Sequence, residues 1–323
     1  MKPWLNQFLY QRKQAQPVMV LGASVMDVVA DTDRIPEKGG DQPAFERGVH
    51  LGGCALNIAL ALHRLGVSCI PMLPIGEGMW AERLRAAMAS KGIHSQLNVT
   101  GGDNGWCLAL VEPDGERTFI SFDGIENQWQ AQWLAPLTPT SGFVSISGYQ
   151  LSVPRGDVLL NWVNGLPTDV KVVVDFGPRL DRISSQIVQQ LLRPGVILTL
   201  NEREAQILGM AADDVEAFCQ QLHHQTKELV VVRMGEAGCY YHQADDEKGW
   251  VDACLVNVVD TIGAGDSHCA GLLAGLACGL SAKDALTLAN HIAAYVVSFR
   301  GGDCAPTIEE LAEFFYPYAL FNH

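Results

Sequence analysis

Short apolar runs that alternate with helical stretches constrain this chain more than any other feature. From the middle of the sequence onward the runs are Phe143–Ser147, Val170–Asp175, Val196–Leu200, Leu229–Arg233 and Gly238–His242. A strand wet on one face shows polar residues at every second position; most of these do not, so both faces must be covered. Between them lie helical stretches such as Arg203–Leu208 and Ala212–Thr226. Strand and helix in alternation imply a mostly parallel central sheet with helices on both sides, an α/β fold in three α/β/α layers. Pro17–Gly22 and Ile70–Ile75 read as two further strands, Ile58–Gly66 and Trp80–Lys91 as amphipathic helices. A chain of 323 residues with 48% hydrophobic content can bury such a core.

Two stretches interrupt the alternation. Asp31 to His50 is polar and carries Pro36, Gly39, Gly40 and Pro43; Trp106–Phe122 has two strand-like arms about a Pro113-Asp-Gly115 turn. Insertions at about 31–50 and 104–123 would together form a small β-sheet acting as a lid, or the second is simply an edge hairpin. Residues 1–16 show no clear period and read as an extension outside the fold. Residues 17–323 then form one domain, with no repeat or linker to divide it.

The formal net charge is −14 and the pI near 5.0, against nucleic acid or an anionic membrane as the main partner. No apolar run is long enough to span a bilayer, and the first ten residues do not resemble a signal sequence. The nine cysteines include no Cys-x-x-Cys pair, which fits free thiols, and a cytoplasmic location is the expectation.

The chemistry concentrates at Asp260-Thr-Ile-Gly-Ala-Gly-Asp-Ser267. It lies between Cys254–Val259, which reads as a strand, and a helix containing Leu272–Ala277. Glycine-rich backbone at a helix start aims several N–H groups at one point and makes an anion hole. A carboxylate at Asp266 would repel a phosphate, so its use there is to accept a proton from whatever attacks it. The plainer reading is that Asp266 caps the helix. Asp27 follows a buried strand ending at Gly22, where α/β proteins bind ligands. Gly52-Gly53 opens a helix with Asn57 on its first turns, and that amide suits a polyhydroxylated ligand. Turn and cap roles remain open for Asp27 and Asn57. The Gly-x-Gly-x-x-Gly of dinucleotide folds is missing after this strand.

Taken together, Gly52-Gly53-x-x-x-Asn57-x-Ala59 and Asp260-Thr-x-Gly-Ala-Gly-Asp266 resemble the ribokinase, or PfkB-type, carbohydrate kinase family, from about Pro17 to Leu311. Within it the chain is most similar to an uncharacterised bacterial sugar-kinase branch. The resemblance implies a ribokinase-like fold and ATP-dependent transfer of the γ-phosphoryl group to a sugar hydroxyl. It implies Asp266 as base, the backbone of Gly263, Ala264 and Gly265 as anion hole, and Asp27, Gly52, Gly53 and Asn57 as acceptor contacts. Asn201 and Glu204 match a motif that places phosphates and Mg²⁺, the latter indirectly. Gly235 and Gly238 match a turn beside the nucleotide, with Thr261 and Arg233 near the phosphates and Asn290 near the adenine. Asp260, the Ile262 carbonyl and backbone near Gly302 resemble a loop for a monovalent cation, usually K⁺. A homodimer paired through the lid is also implied. Arg233 stands where Thr or Lys is frequent, and Asp175-Phe-Gly-Pro-Arg179 only partly resembles a sugar-acid kinase motif. A nucleoside kinase of the same fold and a non-catalytic ligand sensor are the alternatives. Because phosphoryl transfer has a loose transition state, an ordinary carboxylate is expected to suffice as base.

Overall fold

The computed structural model describes residues 2–211, 214–301 and 304–316. Twelve strands are formed among the described residues. Eight make the central sheet: β1 (Val18–Leu21), β4 (Cys69–Met72), β7 (Gly142–Ser147), β8 (Val170–Asp175), β9 (Val196–Asn201), β10 (Val230–Arg233), β11 (Cys239–Ala244) and β12 (Glu247–Val251). Their spatial order is β12-β11-β10-β9-β8-β7-β1-β4, and all run parallel except β11, which is antiparallel to both its neighbours. Strand order reverses at β1, which lies between β4 and β7, so a crevice opens beyond the carboxyl ends of the strands there.

Burial on both faces is visible residue by residue. Val18 and Val20 of β1 point into one core cluster, Met19 and Leu21 into the other. The first cluster includes residues of helices Cys54–Arg64, Ala264–Ala277 and Ala282–Val297; the second, residues of Gly156–Asn164, Ser185–Leu191 and Val215–Thr226. This is the three-layer arrangement expected. Among the described residues no helix is long and apolar enough to cross a membrane.

A second, four-stranded sheet stands apart: β2 (Val25–Thr32), β3 (Ala44–Gly52), β5 (Trp106–Val111) and β6 (Arg117–Phe122), in the order β3-β2-β5-β6. The hairpin turn expected at Pro113–Gly115 joins β5 to β6. β2 begins at Val25, so Asp27 belongs to this sheet, paired with His50 and Cys107, and does not end a core strand.

Two expectations need correction. Residues 3–11 are not outside the fold: they form a helix whose Trp4, Leu5 and Phe8 are buried in the first core cluster. The Gln16 amide bonds the Ala277 carbonyl at 2.9 Å, tying the segment to the far end of the helix that carries Asp266. Cys254–Val259 is not a strand. The side-chain amide of Asn290 takes the Val251 and Asp252 carbonyls, at 3.1 and 3.0 Å, and the chain leaves the sheet there. Leu255 ends 93% exposed, so this apolar run does not enter the core. The helix expected from Ala212 begins at Val215; Ala212 and Asp213 lie outside the described residues.

Candidate active site

Asp266 sits on the first turn of the helix Ala264–Ala277. Gly263, its cap, has φ +74°, a left-handed conformation that side-chain-bearing residues resist. The Ala264 amide reaches the Thr261 carbonyl at 3.3 Å and the Ser267 amide the Gly263 carbonyl at 2.8 Å. The amides of Gly263, Gly265 and Asp266 have no acceptor among the described residues. Three unpaired donors at the positive end of a four-turn helix form the anion hole that the glycines implied.

The Asp266 carboxylate is half-buried. Oδ2 accepts a 2.8 Å hydrogen bond from Asn57 Nδ2. Burial raises its pKa, opposed in part by Asn57 and the nearby Cys54 thiol, while Asp175 adds to the rise. Asp266 is therefore a stronger base than an ordinary carboxylate. Asn57 is buried, and its Oδ1 has no partner among the described residues. An orphaned buried acceptor costs stability unless a ligand hydroxyl meets it.

Asp27 lies against Gly52: a Cβ built on Gly52 would fall 2.1 Å from Asp27 Oδ2. Burial pushes Asp27 up to about 6, and its carboxylate makes no hydrogen bond among the described residues. Gly53, at φ +101°, turns the chain into the helix Cys54–Arg64. Thus Asp27 touches Gly52, the helix follows, and Asn57 on it meets Asp266. Tyr149 and Arg179 border it, with the Arg179 guanidinium 4.8 Å from the Tyr149 ring centroid. Trp80, Trp106 and Phe122 form a three-ring stack at the end of the small sheet, with centroids 5.3 and 4.3 Å apart.

The ends of β8, β9 and β10 supply a second cluster. Arg233 Nη1 donates to Asp175 Oδ2 at 2.8 Å and to the Gly265 carbonyl at 3.4 Å; Nη2 donates to Asp175 Oδ1 at 3.3 Å and lies 3.9 Å from Glu204 Oε2. Burial alone would lower the Arg233 pKa, but the two carboxylates more than reverse it. Glu204 is pushed up to about 7 by burial and by Asp175, with Arg233 pulling the other way. Asn201 and Glu204 form a capping box: Glu204 accepts from the Asn201 amide at 3.0 Å and its side chain at 2.6 Å, and Asn201 Oδ1 accepts from the Glu204 amide at 2.8 Å. Two carboxylates share one guanidinium, which leaves hard oxygen donors and a deficit of positive charge suited to Mg²⁺.

Other expected residues have different places. Gly235 and Gly238 bound the turn between β10 and β11. Thr261 is exposed beside the anion hole. Asn290 is buried with its whole amide engaged: Nδ2 holds Val251 and Asp252, and Oδ1 lies 3.1 Å from His268 Nε2. It secures the end of β12 and offers nothing to an adenine. Gly302 lies outside the described residues. Asp260 does not face an open site: Arg117 from β6 grips it through both guanidinium nitrogens. The sequence reading missed Arg117, Cys54 and the partnership of Asp175 with Arg233.

The profile of the pfkB family carbohydrate kinases matches residues 15–308. The chain belongs to the pfkB carbohydrate kinase family. One relative, the uncharacterized sugar kinase YegV of Escherichia coli (strain K12), is 46% identical over 311 residues, covering 95% of this chain and 96% of the relative. Among solved structures, ribokinase from Thermotoga maritima superposes with a TM-score of 0.80 at 22% identity, covering 93% of this chain and 99% of that one. Phosphofructokinase-2 from Escherichia coli, in complex with potassium, gives 0.73 at 19% identity, covering 93% and 97%. As a pfkB sugar kinase, the protein is placed among enzymes that phosphorylate a sugar with ATP.

Proposed function

We propose that this pfkB kinase transfers the γ-phosphoryl group of ATP to a hydroxyl of a sugar or sugar derivative, with Asp266 as general base. The observation that carries the reading is the juxtaposition at one helix start. A carboxylate of raised pKa, held by Asn57 at 2.8 Å, stands beside three amide donors without acceptors among the described residues. The acceptor hydroxyl gives its proton to Asp266 as its oxygen bonds to phosphorus, and the bond from phosphorus to the bridging oxygen of ADP breaks. The charge spread over the phosphoryl oxygens is met by the amides of Gly263, Gly265 and Asp266. Asp27 and the free Oδ1 of Asn57 accept hydrogen bonds from other acceptor hydroxyls, which orients the reacting one.

Mg²⁺, when bound with ATP, neutralises phosphate charge; Asp175 and Glu204 are the carboxylates positioned to hold it, directly or through water. Arg233 pairs with those carboxylates and donates to the Gly265 carbonyl at the anion hole. The small sheet serves as a lid that excludes water from the acceptor side. Phe45 and Phe119 stand exposed on one of its faces and Ile120 and Phe122 on the other, and two copies pair through the small sheet into a homodimer, to be measured by light scattering on the eluting protein.

The test is ADP release with Mg·ATP over a panel of free sugars, sugar acids, sugar phosphates and nucleosides. Turnover with a sugar or sugar derivative is the expected result. Turnover with nucleosides alone moves the assignment to a nucleoside kinase, and nucleotide binding without turnover on any member favours a sensor.

A further inference from the structure

The Asp260 side chain is only 6% exposed, and donors surround it. Oδ1 accepts from Arg117 Nη1 at 3.0 Å and the Ile262 amide at 3.1 Å; Oδ2 accepts from Arg117 Nη2 at 2.8 Å and the Gly301 amide at 3.0 Å. A carboxylate offers about four lone-pair directions, and all four are taken. A K⁺ ion has no oxygen of Asp260 to coordinate unless the guanidinium leaves. The residues present therefore do not fit the monovalent-cation loop that the family resemblance implies. They do hold a single positive charge at that place, and it is covalent. Arg117 opens β6, so the charge is delivered by the small sheet, 143 residues away in sequence. Desolvation opposes ionisation of Asp260, yet its pKa stays below the ordinary value because Arg117 and the two amides outweigh it.

We propose that the Arg117 guanidinium replaces the monovalent cation in this protein and joins the small sheet to the turn that builds the anion hole. Asp260 and Gly263 are three residues apart, so whatever fixes that carboxylate fixes the path of the unpaired amides. A diffusible ion would fix it regardless of where the small sheet lies. A side chain from β6 fixes it only when the sheet is seated, so lid closure and assembly of the anion hole become one event. Arg117 is a positioning residue: it acts through Asp260. What the turn does rests on the phosphotransferase reading, but the replacement of the ion does not.

The experiment is thermal unfolding of the full chain with Mg·AMP-PNP, in KCl and in tetramethylammonium chloride at equal ionic strength. Wild type is expected to unfold at the same temperature in both. Arg117→Ala is expected to unfold earlier in tetramethylammonium and to recover by about 2–4 °C in KCl, as a vacated site binds the ion. Loss of an ordinary salt bridge lowers both temperatures alike and gives no such recovery. Arg300 lines the same cavity of about 400 Å³ as Arg117, so Arg117→Ala is also made with Arg300→Ala to keep a second guanidinium from substituting. If Arg117→Ala fails to fold, Arg117→Gln is read by the same criterion. A K⁺-specific rise in wild type overturns the proposal, as does the absence of one in every variant. No acceptor or turnover enters the assay, so its outcome is separate from that of the acceptor panel.

Discussion

Replacing Arg233 with Met keeps most of the side-chain volume and removes the one charge shared by Asp175 and Glu204. The Arg233 side chain is 13% exposed, Asp175 16% and Glu204 2%, so solvent does little to screen what is left. Removing one member of a buried ion pair costs about 3–5 kcal/mol, mostly from the stranded partner. The partial exposure of Asp175 places Arg233→Met near the lower figure, about 3 kcal/mol at pH 8. The cost must also depend on pH. In the folded wild type Glu204 ionises near pH 7 against an ordinary 4.5, so between those values the native chain holds the extra proton and stability falls as pH rises. Without Arg233 the folded Glu204 pKa climbs further, which carries that proton uptake to higher pH. One added proton changes stability by about 1.4 kcal/mol per pH unit, so the variant's deficit should shrink by about 1 kcal/mol from pH 8 to pH 6. Urea unfolding of both proteins at the two pH values measures this. A deficit under about 1 kcal/mol at pH 8, or one that grows toward pH 6, would refute the reasoning.

Two further substitutions test separate parts of the structure. Gly52→Ala places a methyl group where the Asp27 carboxylate lies, so it should raise the acceptor KM by about tenfold or more while AMP-PNP affinity by calorimetry stays within about twofold. Phe8→Ala empties a fully buried site beneath the first helix and should cost about 3–5 kcal/mol in urea unfolding; a cost below about 1 kcal/mol would return residues 3–11 to the outside of the fold.

The central sheet was legible because strands such as β7 and β9 are dry on both faces, and runs such as Val170–Asp175 have no other use. The hairpin was legible because Pro113-Asp-Gly115 names its own turn. Cys254–Val259 misled because composition reports what a segment resembles, not whether the sheet still has an edge to receive it. Asn290, on a later helix, decides that by taking the carbonyls at the end of β12. The first helix carried apolar spacing at Trp4, Leu5 and Phe8, but its polar neighbours hid the stripe. In the site, the glycine turn and Asp266 were local and could be read as a motif. The pairs Arg117–Asp260 and Arg233–Asp175 join residues 143 and 58 apart, and nothing local marks which carboxylate a given arginine will find. The raised pKa of Asp266 was equally out of reach, since it comes from burial that only the assembled fold provides.

The central claim is that Asp266 receives the acceptor's proton. With an acceptor from the panel and saturating Mg·ATP, single-turnover phosphoryl transfer by Asp266→Asn is the direct measurement. The account predicts a fall of about 10²–10⁴-fold with AMP-PNP affinity nearly unchanged. Transfer at the wild-type rate would contradict it.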